Sequence, residues 1–246
     1  SRPFLDLSGT TLYRVLVKNG VCPVDTSTNA IVTVTPASYG GSVIGADTVC
    51  AGSNSGSLYV TGAVGNIERW ESSTNGFLWT SIVNRSTIQS YNNLSTTTFY
   101  RAVAKNGLCN EAASSPQKIT VDASTIGGTA TGTQIACEGN NTGIIVLSGN
   151  RGSVVQWEYS ANNTSPWTQV NNTTDTLEFQ NITYSTYFRA IVRNGVCNQT
   201  PSTSVGVSVI DASDAGTLSG SVTVCESSNS GVVIVNNNVG SIVKWQ

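Results

Sequence analysis

The sequence predicts an all-β chain, built as tandem immunoglobulin-like or fibronectin-III-like β-sandwich domains arranged as a rod. Three observations carry that prediction: the composition, a long internal repeat, and the spacing of short apolar runs. Only 11% of the 246 residues are charged, and the chain contains neither Met nor His. An average soluble domain carries about 25% charged residues, so Ser, Thr, Asn and Gly must make up the polar surface here. No window places Leu, Glu, Lys and Ala at helical spacing, whereas short runs of Val, Ile, Thr and Tyr recur throughout.

The repeat is sharp. Tyr13-Arg14-Val15-Leu16-Val17-Lys18-Asn19-Gly20-Val21-Cys22 returns as Tyr100-Arg101-Ala102-Val103-Ala104-Lys105-Asn106-Gly107-Leu108-Cys109 and again as Phe188-Arg189-Ala190-Ile191-Val192-Arg193-Asn194-Gly195-Val196-Cys197. The same steps of 87 and then 88 residues relate Cys50, Cys137 and Cys225, and also Trp70, Trp157 and Trp245. Such a period is too long for a helical solenoid or a propeller blade and close to the ~100 residues of an immunoglobulin-type domain.

The chain accordingly reads as four segments. Residues 1–37 are the C-terminal half of a repeat (strands E to G), 38–124 and 125–212 are complete repeats, and 213–246 are the N-terminal half of another (strands A to C). Half a sandwich leaves a core open, which is expected of a window on a longer polypeptide, or of subunits that complete each other head to tail by strand complementation. In 125–212 the expected strands are Thr133–Cys137, Gly143–Ser148, Val154–Tyr159, Trp167–Val170, Thr176–Asn181, Tyr187–Arg193 and Val205–Ile210. Trp70, Trp157 and Trp245 fall where a sandwich places its core tryptophan, with Tyr100 and Phe188 as core aromatics on strand F. Asn106-Gly107 predicts a two-residue type I′ turn, which would pair Ala104 with Cys109 and turn that cysteine inward. The segments joining repeats, such as Asp122-Ala123-Ser124, are short enough to stack domains stiffly.

Six cysteines in two phased series, Cys22, Cys109 and Cys197 after the F–G turn and Cys50, Cys137 and Cys225 near the first strand, indicate disulfides and an oxidising, extracellular compartment. Two pairings respect the repeat. Pairing within repeats joins Cys50 to Cys109 and Cys137 to Cys197, leaving Cys22 and Cys225 unpaired within the chain; pairing across boundaries joins Cys22 to Cys50, Cys109 to Cys137 and Cys197 to Cys225. The first is favoured, on the reasoning that the F–G turn lies where the repeat's own first strand enters.

Chemistry is harder to find. Without His, and with Glu68, Glu71, Glu158 and Glu178 read as a solvated strand face, no acid–base pair stands out, and no enzyme activity, metal or other cofactor is expected. A net charge of −2 without a Lys/Arg cluster argues against nucleic acid as a partner. The apolar runs are strand-length, against the ~20 residues a membrane helix needs, so membrane insertion of this segment is not expected. Trp79 and Trp167 are candidates for stacking on surface glycans but read first as packing residues.

The pattern Val49-Cys50-Ala51-Gly52-Ser53-Asn54-Ser55-Gly56, followed by Gly65-Asn66-Ile67-Glu68-Arg69-Trp70 and by Tyr100-Arg101-Ala102-Val103 with Asn106-Gly107-Leu108-Cys109, resembles the immunoglobulin-like repeats of giant Bacteroidota surface proteins. The resemblance covers the whole chain and implies a gliding-type adhesin or other substrate of type IX secretion, attached to the outer membrane or secreted. It implies an adhesive or filamentous role, with neighbouring repeats or identical subunits as partners. Asp47-Thr48-Val49 and Asp175-Thr176-Leu177 resemble the phylum's short O-glycosylation sites, which makes Thr48 and Thr176 candidate acceptors. The other function this reading holds open is a carbohydrate-binding or accessory module of a secreted enzyme.

Overall fold

A computed structural model describes residues 1–246, and the chain divides into two compact units, Ser1–Ala123 and Ser124–Gln246. Strands make up all of its regular structure. In the first unit the opening residues contribute β1 (Thr11–Tyr13), β2 (Leu16–Val17), β3 (Asp25–Thr26) and β4 (Ala30–Val32), with β1 antiparallel to β4 and β2 to β3.

A complete sandwich follows: β5 (Ser42–Ile44), β6 (Asp47–Cys50), β7 (Ser55–Thr61), β8 (Asn66–Ser73), β9 (Thr80–Ile82), β10 (Ile88–Asn92), β11 (Thr98–Lys105), β12 (Ala112–Ala113) and β13 (Gln117–Asp122). One sheet runs β10-β7-β5 and the other β6-β13-β11-β8-β9. The second unit repeats the design with β14 (Thr129–Gly132), β15 (Ile135–Cys137), β16 (Thr142–Ser148), β17 (Ser153–Ser160), β18 (Thr168–Val170), β19 (Thr176–Gln180), β20 (Thr186–Arg193), β21 (Thr200–Pro201) and β22 (Val205–Ile210). Its sheets run β14-β16-β19 and β15-β22-β20-β17-β18, and the closing residues add the hairpin of β23 (Thr217–Ser219) and β24 (Ile234–Asn236).

Period-two alternation explains which residues fill each core. Along β11, Thr98, Tyr100, Ala102 and Ala104 are buried, while Phe99 and Arg101 lie on the other face and stay partly exposed. Trp70 on β8 and Trp157 on β17 are 0% exposed, and each indole Nε1–H donates to a backbone carbonyl, Ser86 O and Thr174 O respectively, at 2.9 Å. Leu58 and Ile119 pack with Trp70, as Ile145, Val207 and Phe188 do with Trp157. Trp245, in the closing half repeat, is exposed.

Two local features differ from the sequence reading. The expected first strand Thr133–Cys137 is found as β15, but a further strand, β14, precedes it in the other sheet, and the chain crosses between the two just after Gly132. The turn after β11 is also longer than two residues, because Ala104 pairs with Ala112 of β12 rather than with Cys109. The Cys109 N–H donates to Asn106 O at 3.0 Å, and Gly107 has a positive φ of 56°, as its counterparts Gly20 and Gly195 do at 55° and 51°, while Asn106 is not left-handed. Cys109 is therefore not turned into the core.

Replacing Trp157 with Ala should lower stability by about 3–5 kcal/mol through loss of buried contacts, the cavity and an indole hydrogen bond. Urea unfolding followed by the fluorescence of the remaining tryptophans checks it.

Candidate functional site

Three features recur in both complete repeats: two ends that hold cysteines, an asparagine clasp, and a charged stack on the outer face of the larger sheet. The entry end is set by the F–G turn. The Asn106 N–H donates to Ser38 Oγ at 2.8 Å and the Asn106 side-chain amide to Pro36 O at 2.8 Å, while Cys109 Sγ lies 3.4 Å from both Thr35 Oγ1 and Pro36 O. In the second unit the Asn194 N–H likewise donates to Thr125 Oγ1 at 3.1 Å. Gly40 passes so near β12 that a Cβ there would stand 2.2 Å from the Ala113 carbonyl carbon, so only glycine lets the incoming chain lie this close.

The opposite, exit end is set by β6, which runs parallel to β13 with Cys50 opposite Asp122. In the second unit β15 runs parallel to β22, and Cys137 faces Ile210. Sequence reasoning missed the residue that fixes this end. Asn54 donates to Cys50 O at 2.7 Å and to Leu94 O at 2.8 Å and accepts from the Leu94 N–H at 3.0 Å. Asn141 makes the same three bonds, to Cys137 O, Ile182 O and the Ile182 N–H, at 2.6, 2.7 and 3.1 Å. Asn229 donates to Cys225 O at 2.8 Å, so the recurring Cys-x-x-x-Asn spacing was the available signal.

The cysteines depart from the expected pairing. Cys22, Cys109, Cys137 and Cys225 are free thiols, and Cys50 and Cys197 are disulfide-bonded. Neither Cys50–Cys109 nor Cys137–Cys197 is formed, and none of the boundary pairs 28 residues apart is formed either. The reason lies in the parallel β6–β13 pairing, which carries Cys50 to the exit end of its repeat while the F–G turn keeps Cys109 at the entry end.

The outer face of the larger sheet also corrects the sequence reading. Glu71 and Glu158 were expected on a solvated strand face, yet Glu71 is buried between Arg69 and Arg101, at 2.8 and 2.7 Å. Arg69 also bonds Glu111 at 2.7 Å, and the Arg101 guanidinium lies 4.1 Å from the centre of the Trp79 ring. In the second unit Arg189 bonds Glu158 at 2.8 Å and stacks 3.9 Å from the Trp167 ring, and Gln156 takes the place of Arg69. Burial pushes the Glu71 carboxyl up, but hydrogen bonds and charge from Arg101 and Arg69 outweigh burial and hold it below its ordinary 4.5. The hydrogen bonds that Arg69 donates to Glu111 and then to Glu71 hold its guanidinium above its ordinary value.

Glu68 forms a looser pair with Arg85 at 3.5 Å, and Glu178 is exposed on β19. Tyr100 and Phe188 are buried in the two cores, while Thr48 on β6 and Thr176 on β19 are exposed. The groups brought together here, paired ions under an aromatic ring and amides bonded to backbone, hold structure in place, and their chemistry is that of a binding or scaffolding surface.

This is the architecture of a tandem β-sandwich repeat protein. The family described as a domain of unknown function (DUF8696) matches residues 39–123 and again 126–211, and the chain belongs to it. No curated protein matches the chain. Among solved structures it is similar to the chicken CNTN1 FN1–FN3 domains, at 10% identity over 81% of this chain and 75% of that one, with a TM-score of 0.35. It is also similar to the fibronectin(III)-like modules of Clostridium thermocellum CbhA, at 13% identity, 68% and 91% coverage and a TM-score of 0.30. A third is a mouse coronavirus receptor-binding domain complexed with its murine receptor, at 10% identity, 66% and 96% coverage and a TM-score of 0.41.

Two outcomes are expected. Asn54→Ala, which strips three hydrogen bonds from a half-buried site, should cost about 2 kcal/mol in chemical denaturation. Because the Glu71 carboxyl is held below its ordinary value, its contribution to stability is present above about pH 4.5 and lost as pH falls through the depressed value. Thermal melts between pH 7 and 3 should show a drop at the acid end that is smaller in Glu71→Gln.

Proposed function

We propose that the chain is a structural and adhesive segment of an extracellular surface protein or filament, a stalk of stiffly joined repeats. The observation that carries this reading is the layout of each complete repeat, in which the chain enters beside the F–G turn and leaves beside the parallel β6–β13 or β15–β22 pair. Domains with entry and exit at opposite ends extend when strung together, and joining segments as short as Asp122-Ala123-Ser124 leave little slack.

The disulfide-bonded cysteines support an oxidising compartment outside the cytoplasm. The residue pattern around Cys50 and Trp70 supports a Bacteroidota surface protein of the gliding-adhesin type, exported by the type IX route. Neighbouring repeats, or identical subunits, are its partners, and it is not an enzyme. The carbohydrate-binding reading has less support, because Trp79 and Trp167 each give a ring face to an arginine.

Antibodies raised against the chain should label intact cells of its source without permeabilisation; labelling that requires permeabilised cells overturns the surface assignment. On a glycan array the chain should show no selective binding. Selective binding abolished by Trp79→Ala would replace the stalk with a carbohydrate-binding module.

A further inference from the structure

We propose that the first complete repeat carries a binding site for a free α-amino acid with an aliphatic side chain, in the cleft that holds Glu68 and Arg85. The inference goes beyond the stalk reading and does not depend on what the array adheres to.

The cleft lies where β7 turns into β8, and its volume of about 550 Å³ falls within the roughly 300–1,000 Å³ of small-molecule sites. Its apolar lining comes from Val60, Ala63 and Ile67. Glu68 enters it through an irregularity of β8. Arg69 pairs with Val103 and Ile67 with Ala104, which leaves Glu68 as an extra residue between them. A bulge of this kind takes a side chain out of the regular alternation and aims it elsewhere. Arg85 comes from the connection between β9 and β10, and its Nη2 stands 3.5 Å from Glu68 Oε2. The pair is loose and the arginine side chain is 77% exposed, so parting the two charges for a ligand costs little.

The other copies of this turn are built differently on the same frame. The second repeat keeps the bulge, with Val155 as the extra residue, and keeps the turn glycines Gly62 and Gly65 as Gly149 and Gly152. Its buried floor is kept too, with Leu147 and Val154 for Val60 and Ile67. The Val60 N–H donates to Thr87 O at 2.9 Å and the Leu147 N–H to Asp175 O at 2.8 Å, which fixes Thr173 as the counterpart of Arg85. Both charges are therefore replaced, and Asn150 stands where the first repeat has Ala63. The Asn150 amide donates across the turn to Gly152 O at 3.1 Å. Asn238 does the same to Gly240 O at 2.8 Å in the closing half repeat, where Val243 takes the place of Glu68. Of these three copies, only the first has a carboxylate on the bulge and an alanine in place of the amide that spans the turn.

The pair specifies the ligand. Opposite charges side by side complement a molecule whose ammonium and carboxylate are joined through one carbon, with the carboxylate on the Arg85 fork and the ammonium on Glu68. The walls of Val60, Ala63 and Ile67 take an aliphatic side chain.

The test is a titration of the isotope-labelled 1–246 chain with L-leucine at neutral pH, followed by nitrogen–proton correlation NMR. Saturable shifts are expected at Gly62, Gly65 and Thr87, with none at Gly149, Gly152 and Asp175. N-acetyl-L-leucine, which lacks the ammonium, and L-leucinamide, which lacks the carboxylate, should each bind at least about tenfold more weakly; Glu68→Gln and Arg85→Gln should weaken leucine by a similar factor. No saturable shift at millimolar leucine, equal shifts in the second repeat, or an analogue that binds as well as leucine overturns the proposal, and these three readings need no variant. A variant that keeps the parent's spectrum elsewhere and binds leucine unchanged overturns it as well.

Discussion

Each sandwich is closed by a first strand that serves both sheets. β5 pairs antiparallel with β7, and two residues later β6 pairs parallel with β13 in the opposite sheet; β14 and β15 do the same in the second unit. The crossing needs backbone that only glycine accepts. Gly45 has a φ of 106°, and a Cβ on Gly132 would stand 2.1 Å from Ile144 O. The rest hangs on this crossing, since it covers the edge of β13, brings Cys50 to the exit end and sets Asn54 where it can clamp β6 to the segment after β10.

How much of this was legible follows from which forces are periodic. Strands such as β16, β20 and β22 announce themselves by alternation between turn residues, and Tyr100, Ala102 and Ala104 point inward as a period of two requires. β14 was missed because Thr129-Ala130-Thr131-Gly132 offers a single buried residue, Ala130, and its pairing with β16 is a long-range event that no local pattern encodes. The turn after β11 was misread for a related reason. Asn-Gly favours a tight hairpin, but β12 offers β11 a partner further along, and Ser114 Oγ accepts from the Ala102 N–H at 3.0 Å to finish the pairing.

The site was less legible than the fold. A lone glutamate on a strand reads as solvated, and only the arrival of Arg101 from β11, capped by Trp79, makes burial of Glu71 tolerable. The same insight applies to the cysteines. Their phasing revealed the repeat, but the end of the repeat at which Cys50 sits depends on the direction of β6, which parallel pairing with β13 decides and spacing in the chain does not.

The short edge strands have a consequence for how such a chain reaches its native state. β5, β9 and β18 have three residues each, so the sheet margins offer little template to a foreign strand. Repeats of one fold emerging one after another hold each other at high local concentration, the condition under which neighbours exchange strands and become trapped. Abbreviated margins make such an exchange unrewarding, so each sandwich is steered toward its own strands even while its neighbour offers strands of the same kind.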